Sequence, residues 1–220
     1  FCSNLNNKDM NKFIKLVLLA ICFSASASPT SSQIQFYDSV KTVVSSSNYD
    51  YKNPVFSNDY TGSFSEYYWL FYERHNGTSS EIIARKMRYS SYDEEIVITN
   101  TSNALNINPT YDGGMLVWQS NARGNWDLYY SVLSGSNWSS PALIDSSSED
   151  ETNPSVKNNN LSQNFSYVAF KRNNSIGFKR FVSSSGIWDN DTIVTAGTNE
   201  DVAPIIMEGN FSNQSVIYFL

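Results

Sequence analysis

The chain has 220 residues, a formal net charge of -6, 15% aromatic residues and only 16% charged residues. That acidic balance argues against a nucleic-acid partner, whose phosphates need a basic face, and against an anionic membrane surface. Abundant Ser, Asn and Tyr, with aromatic and β-branched runs between turn formers, favour an all-β protein.

The first residue is Phe1, and Met10 opens a secretory pattern. Lys12 and Lys15 supply a basic start. Ile14 and residues 16–23 supply a short apolar run, and Ala25-Ser26-Ala27 the small residues for cleavage before Ser28. The run is too short for a spanning helix, and polar sequence follows it. The expected organisation is upstream residues plus a signal peptide over 1–27, translated from Met10. A mature domain over 28–220 follows, secreted or held in the periplasm or cell envelope, with no transmembrane segment after cleavage. The competing readings of the same run are an N-terminal anchor and a buried helix. Leu19-Ala20-Ile21-Cys22 resembles a lipobox, but Ile21 stands where lipidation of Cys22 needs a small residue. Both cysteines, Cys2 and Cys22, lie in this segment, so the mature chain has no disulfide and relies on packing.

After the signal there is no sustained helical periodicity. Short apolar runs alternate with Ser/Asn/Gly/Asp clusters, and prolines recur at Pro54, Pro109, Pro154 and Pro204. Their spacing of about fifty residues is the length of a four-stranded propeller blade. About ten residues before each proline lies an apolar strand, at 42–44, 96–98, 142–144 and 192–194. Each proline is expected to mark a blade junction, followed by an inner strand, a loop and a hairpin. The predicted hairpins pair 68–72 with 82–87, 115–119 with 127–131, and 167–171 with 176–181. Asn173-Asn174 suits the positive backbone dihedrals of a two-residue turn. The segment from Pro204 is expected to stop inside a fourth unit. The chain then holds roughly three to four blades of a ring of about six to eight, and is part of a longer protein. The strand around Val43 would close that ring.

The run 109–114, Pro-Thr-Tyr-Asp-Gly-Gly, continues through 115–120, Met-Leu-Val-Trp-Gln-Ser, and 124–129, Gly-Asn-Trp-Asp-Leu-Tyr. It resembles the TolB-like β-propeller repeat of exported bacterial proteins. The pattern weakens in the copies from Pro154 and Pro54, and in all covers about residues 40–220. The resemblance implies an incomplete all-β propeller of four-stranded antiparallel blades with an interaction role. Ser131 to Trp138 matches the spacing of the Asp-box of sialidase-like propellers, but Leu133 holds the Asp position. That likeness supports a propeller hairpin rather than sugar cleavage.

Candidate chemistry is sparse, and no catalytic, cofactor or metal residue is assigned. His75, the only histidine, is expected to be exposed in a hairpin loop beside Asn76-Gly77. Carboxylates cluster at Glu149-Asp150-Glu151 and Glu200-Asp201. They could offer oxygen ligands to a cation or, more simply, cap turns and bind backbone amides. A sialidase-like site would draw on Arg74, Arg85, Arg88, Arg123, Arg172 and Arg180, but Arg74, Arg123 and Arg172 fall in or beside hairpin loops. Trp126, Trp138 and Trp188 could stack on sugars, though blade packing is their simpler role. Sequons such as 76–78, 137–139 and 210–212 would carry glycans only in a eukaryotic host. The expected function is non-enzymatic binding or scaffolding of a protein or a cell-envelope glycan. The alternative is a carbohydrate-active propeller enzyme whose catalytic residues lie beyond this sequence.

Overall fold

The computed structural model describes residues 44–57, 67–88, 92–159, 165–189, 192–196, 203–211 and 214–219. The chain divides into two compact units, 1–48 and 49–220. Of the first, residues 44–48 are described, an exposed stretch in which Ser46 Oγ accepts the Asn48 N–H at 3.1 Å. The expected signal peptide, the expected strand around Val43 except Val44 itself, Glu200-Asp201 and the Arg88 side chain lie outside the described residues.

Among the described residues the second unit is all-β, with no helix, and so with no helix long and apolar enough to cross a membrane. Sheet one joins β1 (Asp50–Phe56), β2 (Tyr67–His75), β3 (Ser80–Arg88) and β4 (Tyr92–Val97) in that order. Sheet two joins β5 (Asn106–Asp112), β6 (Met115–Ser120) and β7 (Asp127–Ser134). Its last position is divided between β8 (Asn137–Trp138) and β9 (Ala142–Leu143), which pair with different parts of β7. Sheet three repeats that plan with β10 (Glu151–Asn159), β11 (Phe165–Arg172), β12 (Ser175–Val182), β13 (Ile187–Trp188) and β14 (Thr192–Ala196). A further antiparallel hairpin joins β15 (Ile206–Phe211) to β16 (Gln214–Phe219). All pairings are antiparallel, as short connections between consecutive strands require. The predicted hairpins are β2–β3, β6–β7 and β11–β12, with Tyr72 opposite Ile83, Trp118 opposite Tyr129 and Ala169 opposite Phe178.

The prolines correct the expected boundaries. Pro54, Pro109 and Pro154 stand near the start of each sheet, but the first strand begins a few residues before the proline and runs through it rather than following it. The register slips there, between Lys52 and Val55, Ile107 and Thr110, and Thr152 and Ser155. Each slip holds an Asn-Pro pair, and the Asn takes the left-handed conformation, at φ 47° for Asn53, 54° for Asn108 and 52° for Asn153. A bulge leaves a residue without a ladder partner, so Pro's missing N–H costs nothing there. Asn is among the few non-glycine residues that adopt positive φ readily. The turn at Asn173-Asn174 also differs from expectation. Only Asn173 has positive φ, at 53°, which fits a II′ turn rather than I′.

The sheets pack face to face, and β6 shows why its sequence does not alternate. All six of its residues are buried. Leu116 and Trp118 join Trp69, Phe71, Ile82 and Ala84 of sheet one. Met115 and Val117 join Val156, Val168 and Phe170 of sheet three. A strand covered on both faces reads as a continuous apolar run, and each large buried side chain contributes about 1.5–3 kcal/mol. Ala169 and Ile176 continue the stack onto Ile206 of β15.

Candidate functional site

The turns that end each β2-type strand and the links that enter each first strand meet at one end of the sheets. The chain reverses there at 76–79, 121–126 and 173–174, and enters β5 and β10 through 98–105 and 144–150. Ser80 N–H donates to Ala104 O (2.9 Å), Asn121 N–H to Leu105 O (3.2 Å) and Glu151 N–H to Trp126 O (2.7 Å). Turns and links thus form one connected edge, and Arg74, His75, Arg123, Glu149, Asp150, Glu151 and Arg172 sit on or beside it.

The bulged Asn residues build the first feature of that edge. Glu73, at the end of β2, is 1% exposed. Its Oε1 accepts from Asn53 Nδ2 (2.6 Å) within its own sheet and from the Asn108 backbone N–H (2.7 Å) of the next. Gln119 occupies the matching place in sheet two. Its Oε1 accepts from Asn108 Nδ2 (3.0 Å) and from the Asn153 backbone N–H (2.8 Å) of sheet three. The three Asn amides also approach one another, with Asn53 Nδ2 to Asn108 Oδ1 and Asn108 Nδ2 to Asn153 Oδ1 both at 3.4 Å. The positive φ at Asn108 and Asn153 turns their N–H groups toward the preceding sheet.

A second ladder runs beside the first. The residue after the proline is Thr110 in sheet two and Ser155 in sheet three. Thr110 Oγ1 accepts the Val156 N–H (3.4 Å) and Ser155 Oγ accepts the Ile206 N–H (3.0 Å). At the far end of β5, Asp112 Oδ2 accepts the Asn158 N–H (2.7 Å) and Lys157 Nζ stands 3.0 Å from it. Asn158 Nδ2 donates to Gly113 O at 2.5 Å, and a Cβ on Gly113 would lie 2.4 Å from Asn158 Cβ. Gly113 and Gly114 both have positive φ, 52° and 87°, the I′ pattern, and the close approach of Asn158 leaves no room for a side chain at the first of them. The first strands β1, β5 and β10 are therefore cross-bonded in series.

His75 is not in a loop and not exposed. It is the last residue of β2, paired with Ser80, and its Nε2 lies 2.7 Å from Glu73 Oε2. Its ring thereby backs the buried carboxylate that holds Asn108.

The carboxylates before β10 have separate partners. Asp150 Oδ1 accepts the Trp126 N–H (2.8 Å), and Glu149 Oε1 accepts from Asn173 Nδ2 (2.6 Å). Glu151 is fully buried and ion-paired with Arg172, which also reaches Asp145 at 2.9 Å; Lys179 Nζ lies 3.0 Å from the same Asp145 oxygen. The capping role is thus seen directly for Asp150. Among the described residues no group of His, Cys, Asp and Glu side chains is placed to hold a metal ion.

The arginines engage different acids. Arg74 pairs with Glu81 (2.7 Å) and Glu95 (2.6 Å), Arg180 with Asp189 (2.5 Å), and Arg85 donates to Asp93 O (2.8 Å). Arg123 stands 3.9 Å from Asp127 Oδ2. Asp127 is 1% exposed, and that oxygen has no hydrogen bond among the described residues, while Oδ1 accepts from Asn125 Nδ2 at 3.0 Å. Burial drives its carboxyl above the usual aspartate range, against the bond from Asn125 and the charge of Arg123. A raised folded-state pKa means that its stabilising contribution is whole below the unfolded value of about 3.9 and is lost as pH rises through the folded value. Asp127→Asn keeps the acceptor for Asn125 and removes the charge. It should raise Tm at pH 7, with the gain vanishing below about pH 4. Thermal melts from pH 3 to 8 test this; an equal shift at every pH would contradict it.

The tryptophans divide. Trp138 of β8 reaches back to sheet one, with its ring 5.4 Å from Trp69, 5.5 Å from Phe71 and 6.1 Å from Tyr111 of β5. Trp188 of β13 does the same to sheet two, 5.3 Å from Tyr130. Both indole N–H groups are buried with no hydrogen bond among the described residues, so these rings contribute packing. Trp126 is half-buried in the β6–β7 loop and tied down through its backbone.

Sequence reasoning missed Glu73, Gln119, Asp145 and Lys179. The usable signal for the first two was positional. Each follows an apolar run and stands opposite the residue that precedes an Asn-Pro pair, Lys52 or Ile107.

No family model matches the chain, and no curated protein matches it. Among solved structures, a puromycin-hydrolysing peptidase of Mycobacterium tuberculosis aligns at 10% identity with a TM-score of 0.44, covering 69% of this chain. The chain spans 25% of that protein's length.

Proposed function

We propose that residues 28–220 form blades of an exported, TolB-like β-propeller that binds a protein or a cell-envelope glycan without catalysing a reaction. The observation that carries this reading is the series of cross-bonds by which Asn53, Asn108 and Asn153, at equivalent positions of β1, β5 and β10, are linked through Glu73 of β2 and Gln119 of β6. In a propeller the first strand of each blade faces a common axis and its connecting loops gather at one end. The carboxylates and guanidinium groups of that end serve each other and the backbone, which suits a rigid platform for recognition better than acid–base chemistry. Two measurements test it. Purified protein is expected to give no turnover of aryl-glycosides or peptide anilides above the blank. Saturable turnover lost on substitution of one edge carboxylate would replace binding by catalysis. Expression of the whole sequence in a secreting bacterium should give a product whose N-terminus is Ser28; retention of residues 10–27 would remove export from the reading.

A further inference from the structure

We propose that the Asn76-Gly77 turn between β2 and β3 is a site of spontaneous imide formation, a chemical ageing site beside the His75–Glu73 pair. Asn-Gly occurs once in the chain, at this turn. Asn76 and Gly77 are exposed, and no atom beyond residues 76–78 lies within 4 Å of where a Gly77 Cβ would stand. The reacting amide is therefore open to water, and no packed neighbour crowds the turn. What sets the turn apart is how Asn76 is held. Its Oδ1 accepts two hydrogen bonds, from Ser79 Oγ (2.7 Å) and from the Ser79 N–H (3.2 Å), while Nδ2 makes none among the described residues. Donors on the carbonyl oxygen polarise Cγ and stabilise the charge that gathers on that oxygen during addition, as in an oxyanion hole. The unbonded Nδ2 is the group that must leave.

The Gly77 backbone nitrogen, giving its proton to solvent base, attacks Asn76 Cγ and forms a C–N bond. The resulting oxyanion on Oδ1 collapses, the Cγ–Nδ2 bond breaks, and ammonia departs with a proton taken from water. The product is a five-membered imide. Water then opens it at either carbonyl, leaving aspartate or isoaspartate at position 76. No oxidant or reductant is involved. The neighbouring His75 is paired with Ser80 across the same turn. Isoaspartate lengthens the backbone there by one carbon and disturbs that pairing.

The test is peptide mapping of the purified chain during incubation at neutral to mildly alkaline pH and physiological temperature. Isotopically labelled water is present to mark imide opening. Label is expected at position 76 before any other asparagine. Gly77→Ala should slow incorporation about tenfold or more, the factor given by a 1.4 kcal/mol rise in barrier. Ser79→Ala should slow it severalfold at an unchanged melting temperature, which separates loss of the oxyanion donor from loosening of the turn. If Asn76 stays intact while other asparagines convert, the site is not one. If Ser79→Ala speeds the reaction, the hydrogen bonds protect Asn76 and the assigned role of Ser79 is wrong.

Discussion

Replacing Arg172 by Met is expected to destabilise the fold by about 3–5 kcal/mol, the cost of breaking a buried ion pair from one side. Arg172 closes β11 and stands opposite Glu151, whose side chain is fully buried. Its guanidinium serves Glu151 of β10 and Asp145 of the link before it, so one side chain fixes the entry of the chain into sheet three. Methionine fills similar space but takes the guanidinium away from the Glu151 carboxylate in a place closed to water. Lys179 still reaches Asp145. The double variant Arg172→Met with Glu151→Gln should recover much of the stability, because the neutral amide has a smaller desolvation cost. Urea unfolding of the two variants measures this. A single variant within about 1 kcal/mol of the parent would mean that the pair behaves like an exposed one.

Phe71→Ala is expected to cost about 3–5 kcal/mol as a large cavity between two sheets. Phe71 is fully buried. Its ring lies 4.7 Å from Tyr111 of sheet two, 5.5 Å edge-on from Trp138 of the same sheet and 6.2 Å from Trp69 of its own. Truncation removes the centre of that cluster, and rigid aromatic neighbours close such a gap poorly. Near-ultraviolet circular dichroism should lose intensity together with Tm, because the Trp138 and Tyr111 environments depend on the same ring. Phe71→Leu should cost clearly less. A similar loss for both would place the effect in the backbone of β2 rather than in inter-sheet packing.

Much of the strand pattern was legible in the sequence. Hairpins β2–β3, β6–β7 and β11–β12 follow from aromatic and β-branched runs closed by Asn- and Gly-rich turns. The periodic prolines were legible as a repeat but not as a structural part. Proline ordinarily punctuates strands. Only the left-handed Asn before it lets the strand continue through a bulge, and nothing local in an Asn-Pro pair announces that choice. His75 was misplaced for a related reason. Asn76-Gly77 marks a turn, and the ladder runs one residue further than the loop-like composition suggests. Glu73 and Gln119 differ in charge, so no residue-type pattern links them. They share an Oε1 at the same register position, and only pairing reveals it. The ladder changes at the next copy, where Lys171 replaces the acceptor and Ala203-Pro204 replaces Asn-Pro. Trp138 and Trp188 were legible as packing residues because both recur beside the turn that follows the third strand.

The central claim is that successive sheets fan about an axis facing β1, β5 and β10. Pulsed electron spin resonance on pairs of single labels tests it in the chain from Ser28, which contains no cysteine. One pair joins the first strands, at Lys52 and Thr152, which hold the same register place in sheets one and three. The other joins the last strands, at the exposed Val97 and Ile193, also equivalent. A fan predicts a clearly shorter distance between the first-strand labels than between the last-strand labels. Equal distances would describe a flat stack of sheets and contradict the propeller.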